Sequence, residues 1–243
     1  MEAMIFAAGL GTRLQTETAN KPKALVDVGG KPLLQHAIDK LKIAGVTKIV
    51  VNVHHFAKQV IAFIDQQKQD IPILISDESE QLLDTGGGLK KAAPLFSGKA
   101  PILIYNVDIL SSINLKELNH THLDSGALAT LVVRKRETQR YFQFNNEMQL
   151  TGWINKATGA NKISRASNLP NITELAFSGI HIVQPEIFQD MPREERFSIV
   201  RFYLEQAKTK TIKGYLDESK LWMDVGKPEQ LALARKMIRN KKQ

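Results

Sequence analysis

Cysteine is missing from the chain altogether. Its absence excludes disulfide bridges, thiolate zinc sites and a cysteine nucleophile, and it accords with a reducing compartment. Aromatic residues are scarce, at 7%, which leaves few platforms for stacking the bases of a nucleic acid. No stretch approaches the roughly 18 consecutive apolar residues of a membrane span. Met1 leads directly into Ile5-Phe6-Ala7-Ala8-Gly9, without a basic leader or a small-residue cleavage site. A soluble cytoplasmic protein with no membrane partner is the expectation.

What is present is a 43% hydrophobic fraction over 243 residues, ample for one large α/β unit with a packed core. Lys and Arg exceed Asp and Glu by enough to leave a net charge of +8, which points to acidic partners. The cations are scattered, so phosphorylated small molecules are favoured over nucleic acid. The one dense basic run, Arg235, Lys236, Arg239, Lys241 and Lys242, reads as a solvated helix end.

Strand and helix signals alternate along the first half. Strands are expected at Ala3–Ala8, Lys48–Val53, Ile71–Ser76, Ile102–Val107 and Ala127–Val133, and helices at Pro32–Ala44, Ala57–Gln67, Gly88–Phe96 and Leu115–His122. Such alternation implies a mostly parallel sheet with helices on both faces. Beyond about residue 140 the pattern loosens. Tyr141–Phe144 and Met148–Ile154 flank a hairpin turn at Asn145-Asn146-Glu147, and Lys156–Thr173 reads as a loop. Phe177–Val183 and Thr211–Leu216 read as strands, Ile199–Ala207 and Pro228–Ile238 as helices. With no internal repeat and no Pro/Ser linker, residues 1–243 read as one domain. Residues 1–135 would form one half and residues 136–243 a smaller second half.

The most informative stretch is Ala7-Ala8-Gly9-Leu10-Gly11-Thr12-Arg13-Leu14, followed by Lys21-Pro22-Lys23. Glycines after a strand let backbone amides approach a polyphosphate. A dinucleotide-binding turn would place a third glycine where Leu14 stands, and a Walker loop would need Gly-Lys-Ser/Thr. In their place come Arg13 and Lys23, fixed positive charge along a phosphate chain. The alternative is a plain turn with solvated cations. Asp108 ends an aliphatic strand, where ligands of open parallel sheets collect; a capping role is its alternative. Asp224, in Trp222-Met-Asp-Val-Gly226, has turn chemistry as its alternative. His54, His55, His120 and His122 lack partners at metal spacing, and none is given a role.

Five motifs in order resemble the nucleoside-diphosphate-sugar pyrophosphorylases: the Gly-x-Gly-x-Arg loop with its Pro-Lys, Asp84-Thr-Gly-Gly-Gly88, Asn106-Val-Asp108, Phe177-Ser-Gly-Ile180 and Trp222-Met-Asp-Val-Gly226. The resemblance covers nearly the whole chain. It implies a Rossmann-like nucleotidyltransferase fold with a smaller sugar-binding half, and Mg2+-dependent transfer of a nucleoside monophosphate from an NTP to a sugar 1-phosphate. UTP with N-acetylmuramic acid 1-phosphate is the leading expectation, GTP with mannose 1-phosphate or another hexose or heptose 1-phosphate is the alternative, and a non-catalytic nucleotide-sugar-binding regulatory module is the rival of another class. Arg13 and Lys23 would be catalytic, and Asp108 and Asp224 would hold the metal. Ala8, Gly9, Gly11 and Thr12 would bind the nucleotide with Gln81, Gly86 and Gly87, whose bare backbone would face a flat base. Asn106, Gly152, Lys156 and Gly179 would bind the sugar phosphate. The chain departs from the pattern twice. Asn155 and Ala157 replace the residues around the lysine of a Glu-Lys-Pro motif, leaving a surface lysine as the alternative for Lys156. Asn106 stands where glycine is usual. With no hexapeptide repeat in the sequence, a bifunctional acetyltransferase–uridylyltransferase is not expected.

Overall fold

A computed structural model describes residues 1–165 and 172–240. Aliphatic strands and amphipathic helices alternate through the first half: β1 (Glu2–Phe6), α1 (Leu33–Ile43), β2 (Ile49–Val53), α2 (Ala57–Gln66), β3 (Ile73–Asp77), α3 (Asp84–Ala92) and β4 (Ile102–Asn106). Next come β5 (Ile109–Ser111), α4 (Leu115–Ser125), β6 (Ala129–Arg134), β7 (Arg140–Phe144), β8 (Leu150–Asn155) and β9 (Ala160–Ile163). The chain closes with β10 (Thr173–Val183), α5 (Ile199–Gln206), β11 (Ile212–Leu216), β12 (Trp222–Asp224) and α6 (Pro228–Asn240).

The central sheet runs β3-β2-β1-β4-β10-β6-β11, and every neighbouring pair is parallel except the two that involve β10. This is the mostly parallel α/β sheet that the alternation implies. Successive residues of β1 face opposite sides: Ala3 and Ile5 enter one apolar cluster with α1, α2 and α6, while Met4 enters a second with α3 and α5. Both faces are therefore covered, which is why the strands read as unbroken aliphatic runs. Register sets Phe6 beside Asn52 on one side and Asn106 on the other. The carboxyl ends of three strands thus open onto one edge.

The first half of β10 leaves that sheet and pairs with β7, from which β8 and β9 continue antiparallel. The hairpin between β7 and β8 turns at Asn145, whose side-chain carbonyl accepts from the amides of Glu147 and Gln149. Two expectations need correction. The helix expected from Gly88 begins at Asp84, so the glycine triplet lies inside its first turns. The stretch expected as a loop, Lys156–Thr173, holds β9; its residues 166–171 lie outside the described residues, as do Lys241 and Lys242. Among the described residues no helix is long and apolar enough to cross a membrane.

Two histidines are sealed in this core. His122 bonds Thr130 through Nδ1 and leaves Nε2 without a partner; neither ring nitrogen of His181 has one. Burial pulls His122 down to about 4 and His181 down to about 3, from an ordinary 6.5. Below pH 6.5 an unfolded chain takes up protons that the native protein refuses, so stability falls as pH drops from 6.5 towards those lower values. Melting temperature measured from pH 7.5 to 4 will decline, and His181→Leu will flatten that decline; an unchanged slope would refute the assignment.

Candidate active site

The glycine loop leaves β1 under a fixed constraint. Asn52, the polar residue of an otherwise aliphatic β2, accepts from the amides of Ala7 (2.7 Å) and Ala8 (3.3 Å) through Oδ1. Its Nδ2 donates to Glu78 Oε1 at 2.7 Å, and Glu78 Oε2 accepts from Leu83 N at 3.2 Å. Glu78 is fully buried and its carboxyl is raised by that burial, with Asn52 and Leu83 opposing. The brace joins the start of the loop to the start of α3. Gly11 sits at φ 66°, where a methyl group would meet Thr18 at 3.0 Å and Lys23 at 3.1 Å, so both the conformation and the space demand glycine. A 3-10 turn over Thr12–Thr18 follows, carrying Arg13 outward while Leu14 plugs the core. The position that would be glycine in a dinucleotide turn is thus a hydrophobic anchor.

Four charged side chains converge from separate parts of the chain. Lys23 Nζ is ion-paired with Asp108 Oδ2, their side chains only 11% and 14% exposed. β12 pairs with β5 and sets Asp224 opposite Ile109, and the Val225 amide donates to the Asp108 carbonyl at 2.9 Å. A methyl group on Gly226 would lie 2.8 Å from Asp224 Oδ1, 2.9 Å from Arg13 Nη2 and 2.9 Å from Lys23 Nζ. Burial raises the Asp108 carboxyl; the Lys23 ammonium opposes this and the Asp224 charge adds to it. Arg13 has no carboxylate within 4 Å among the described residues.

Asp108 and Asp224 offer hard oxygen donors, and among the described residues no cluster of three or more His, Cys, Asp or Glu surrounds them. That donor set suits magnesium, which takes one or two carboxylates and completes its shell with water and phosphate. It does not suit a closed zinc site.

A cleft of about 280 Å³ opens beside this group, lined by Ala8, Gly9, Lys23, Thr85, Asn106 and Asp108, with Arg196 across from them. Asn106 packs against the bulged segment of β10, where a methyl on Gly179 (φ 75°) would lie 2.8 Å from Asn106 Nδ2. The structure therefore brings together Arg13, Lys23, Asp108 and Asp224, and it sets Ala8, Gly9 and Asn106 around the adjoining cleft; Gly179 is buried against Asn106 and does not line it.

Other expected residues lie elsewhere. Thr12 and Gln81 are exposed and do not line the cleft; Leu82 and Thr85 do. Gly86 and Gly87 present no bare surface to a base. Both amides donate to the Phe197 carbonyl (2.9 and 3.2 Å), and a methyl on Gly87 would lie 2.0 Å from the Glu195 carbonyl oxygen. Gly152 is enclosed between Gln143 and Lys162 in the β7–β8–β9 sheet. Lys156 pairs with Glu174 at 2.6 Å and lies over the Tyr141 ring, lining a second cleft of about 640 Å³. A further hollow of about 770 Å³ between α1, β5 and α6 is lined by none of the four converging charges. Sequence reasoning passed over Asn52, Glu78 and Arg196. Only Asn52 left a signal, as a lone amide in a buried strand.

A family described as nucleotidyl transferase matches residues 2–241. N-acetylmuramate alpha-1-phosphate uridylyltransferase of Caulobacter vibrioides is 35% identical over 93% of this chain and 92% of its own. Mannose-1-phosphate guanyltransferase of Yarrowia lipolytica is 30% identical over 94% of this chain, which spans 61% of that longer relative. The fold matches HddC from Yersinia pseudotuberculosis, crystallised with GMP-PN, at a TM-score of 0.76, 22% identity and coverage of 97% and 98%.

Asn52→Leu will leave the Ala7 amide and the Glu78 carboxyl short of partners, costing about 3 kcal/mol in urea unfolding. A loss below about 0.5 kcal/mol, the range of neutral surface changes, would show that the brace holds nothing.

Proposed function

This chain belongs to the nucleotidyl transferase family, and on that footing we propose that it transfers a nucleoside monophosphate from an NTP to a sugar 1-phosphate, releasing pyrophosphate. The observation that carries this reading is the convergence of Arg13, Lys23 and Asp224 at Gly226, with Asp108 ion-paired to Lys23. Such a site has little covalent chemistry to perform. A phosphate oxygen of the acceptor, already anionic, attacks the α-phosphorus in line with the departing pyrophosphate oxygen. The obstacle is repulsion between polyanions, so positioning and charge neutralisation provide the catalysis.

Arg13, without a carboxylate of its own, is the residue for the β- and γ-phosphates. Lys23 is assigned to the α-phosphate: it lines the cleft paired with Asp108, and its charge would offset what develops on the phosphoryl oxygens. Asp108 and Asp224 would hold magnesium, which supplies electrostatic neutralisation of the phosphates when bound. The cleft wall at Asn106, which packs against Gly179, is assigned to the acceptor.

For substrates, we favour UTP and N-acetylmuramic acid 1-phosphate, because the Caulobacter relative matches end to end. GTP with mannose 1-phosphate is the competing pair, supported by the Yarrowia relative. Pyrophosphate release measured for four NTPs against several sugar phosphates decides between them, and no turnover with any pair would end the reading. Lys23→Ala will lower kcat by about 10²- to 10³-fold with KM for the NTP little altered, as for a contact strengthened in the transition state. Chelation will abolish turnover, and added magnesium will restore it in the native enzyme but only weakly in Asp224→Asn.

A further inference from the structure

The second cleft carries a cation that the proposed reaction leaves unused. Arg136 follows β6 and lies with its guanidinium carbon 4.5 Å from the centre of the Trp222 ring. That ring is itself fixed, since Trp222 Nε1 donates to the Ser178 carbonyl at 3.0 Å. Arg136 Nη2 donates to the Phe177 carbonyl at 2.9 Å, Nη1 reaches the Glu137 carbonyl only at 3.5 Å, and Nε has no partner. Among the described residues no carboxylate lies within 4 Å of it, although burial lowers its affinity for the proton and only the more distant Asp224 charge and Tyr141 offset this.

Three cations, Arg136, Lys156 and Lys227, and one acidic residue, Glu137, line the cleft. Lys227 lines the same cleft, also without an ion-pair partner among the described residues, while Lys156 is occupied by Glu174. The cleft adjoins the reaction centre: Trp222 and Asp224 share β12, and Lys227 directly follows Gly226. A half-buried guanidinium held flat on an indole presents a planar fork suited to a carboxylate, at a small further loss of side-chain freedom.

We propose that Arg136, fixed on Trp222 beside Lys227, is the specificity-determining residue for the acceptor and pairs with a carboxylate carried by the sugar. The inference rests on the acceptor proposed above, since N-acetylmuramic acid differs from N-acetylglucosamine by a lactyl ether bearing that carboxylate. The phosphate of the acceptor stays with Lys23 and the metal site, and the carboxylate lies in the second cleft. A neutral hexose phosphate would leave Arg136 as it stands.

The test compares three acceptors with UTP: N-acetylmuramic acid 1-phosphate, its lactyl methyl ester, and N-acetylglucosamine 1-phosphate. The native enzyme will favour the free acid by about 10- to 100-fold in kcat/KM, as a charged hydrogen bond to a buried partner implies. Arg136→Gln will lose that factor on the free acid and change the other two acceptors by less than about threefold, within the range of a neutral substitution. Arg136→Lys will recover part of it, because charge returns without the fork. A native enzyme indifferent to the free acid overturns the acceptor reading and this proposal together. A native preference that survives in Arg136→Gln, or a loss shared equally by all three acceptors, overturns the role of Arg136 alone.

Discussion

Arg13, Lys23 and Asp224 crowd the α-carbon of Gly226, Asp108 joins them through its ion pair with Lys23, and the architecture is arranged to bring them there. Asp108 is largely buried and the Asp224 charge acts against its ionisation; at short range and an effective dielectric near 20 such a pair costs a few kcal/mol. Lys23 relieves that cost through its pairing with Asp108, and a divalent cation would relieve it further. No local segment supplies this group. β1 delivers the loop with Arg13 and Lys23, its parallel neighbour β4 delivers Asp108, and the short β5–β12 ladder folds Asp224 back onto Asp108. Removing any one of these pairings would scatter the charges.

The Asn52–Glu78 brace explains why the site can be rigid without relying on its ligands. It fixes the amides of Ala7 and Ala8 and ties them to the start of α3, and Asn52 and Glu78 themselves line the cleft. The same helix start is tied to α5, because Thr85 Oγ1 accepts from the Ile199 amide at 3.0 Å. Displacement of the loop, the start of α3 or the start of α5 is thereby shared among all three.

Much of this was legible because burial leaves a pattern. β1, β2 and β4 are covered on both faces and so appear as unbroken aliphatic runs, and α1 shows its apolar stripe at Leu34, Ala37, Ile38 and Leu41. The loop with Arg13 and Lys23 was legible through the combination of glycines and cations. β9 was not, since its four residues are all exposed and carry no apolar alternation. β5 and β12 are three residues each, too short for periodicity. Glu78 and Arg196 were invisible because their placement depends on β3 and α5 meeting α3, a contact between residues more than a hundred positions apart in the case of Arg196. The glycine triplet was misplaced for a related reason: its neighbour, Glu195–Phe197, lies far along the chain.

That neighbour changes what Gly86 and Gly87 record. The closest atom to either glycine belongs to the protein's own backbone or to Phe197, so selection would hold both positions constant wherever the two segments cross, even in a descendant that had abandoned nucleotides. Invariance at this pair among homologues would therefore testify to an internal chain crossing, and a loss of catalysis would leave no trace there.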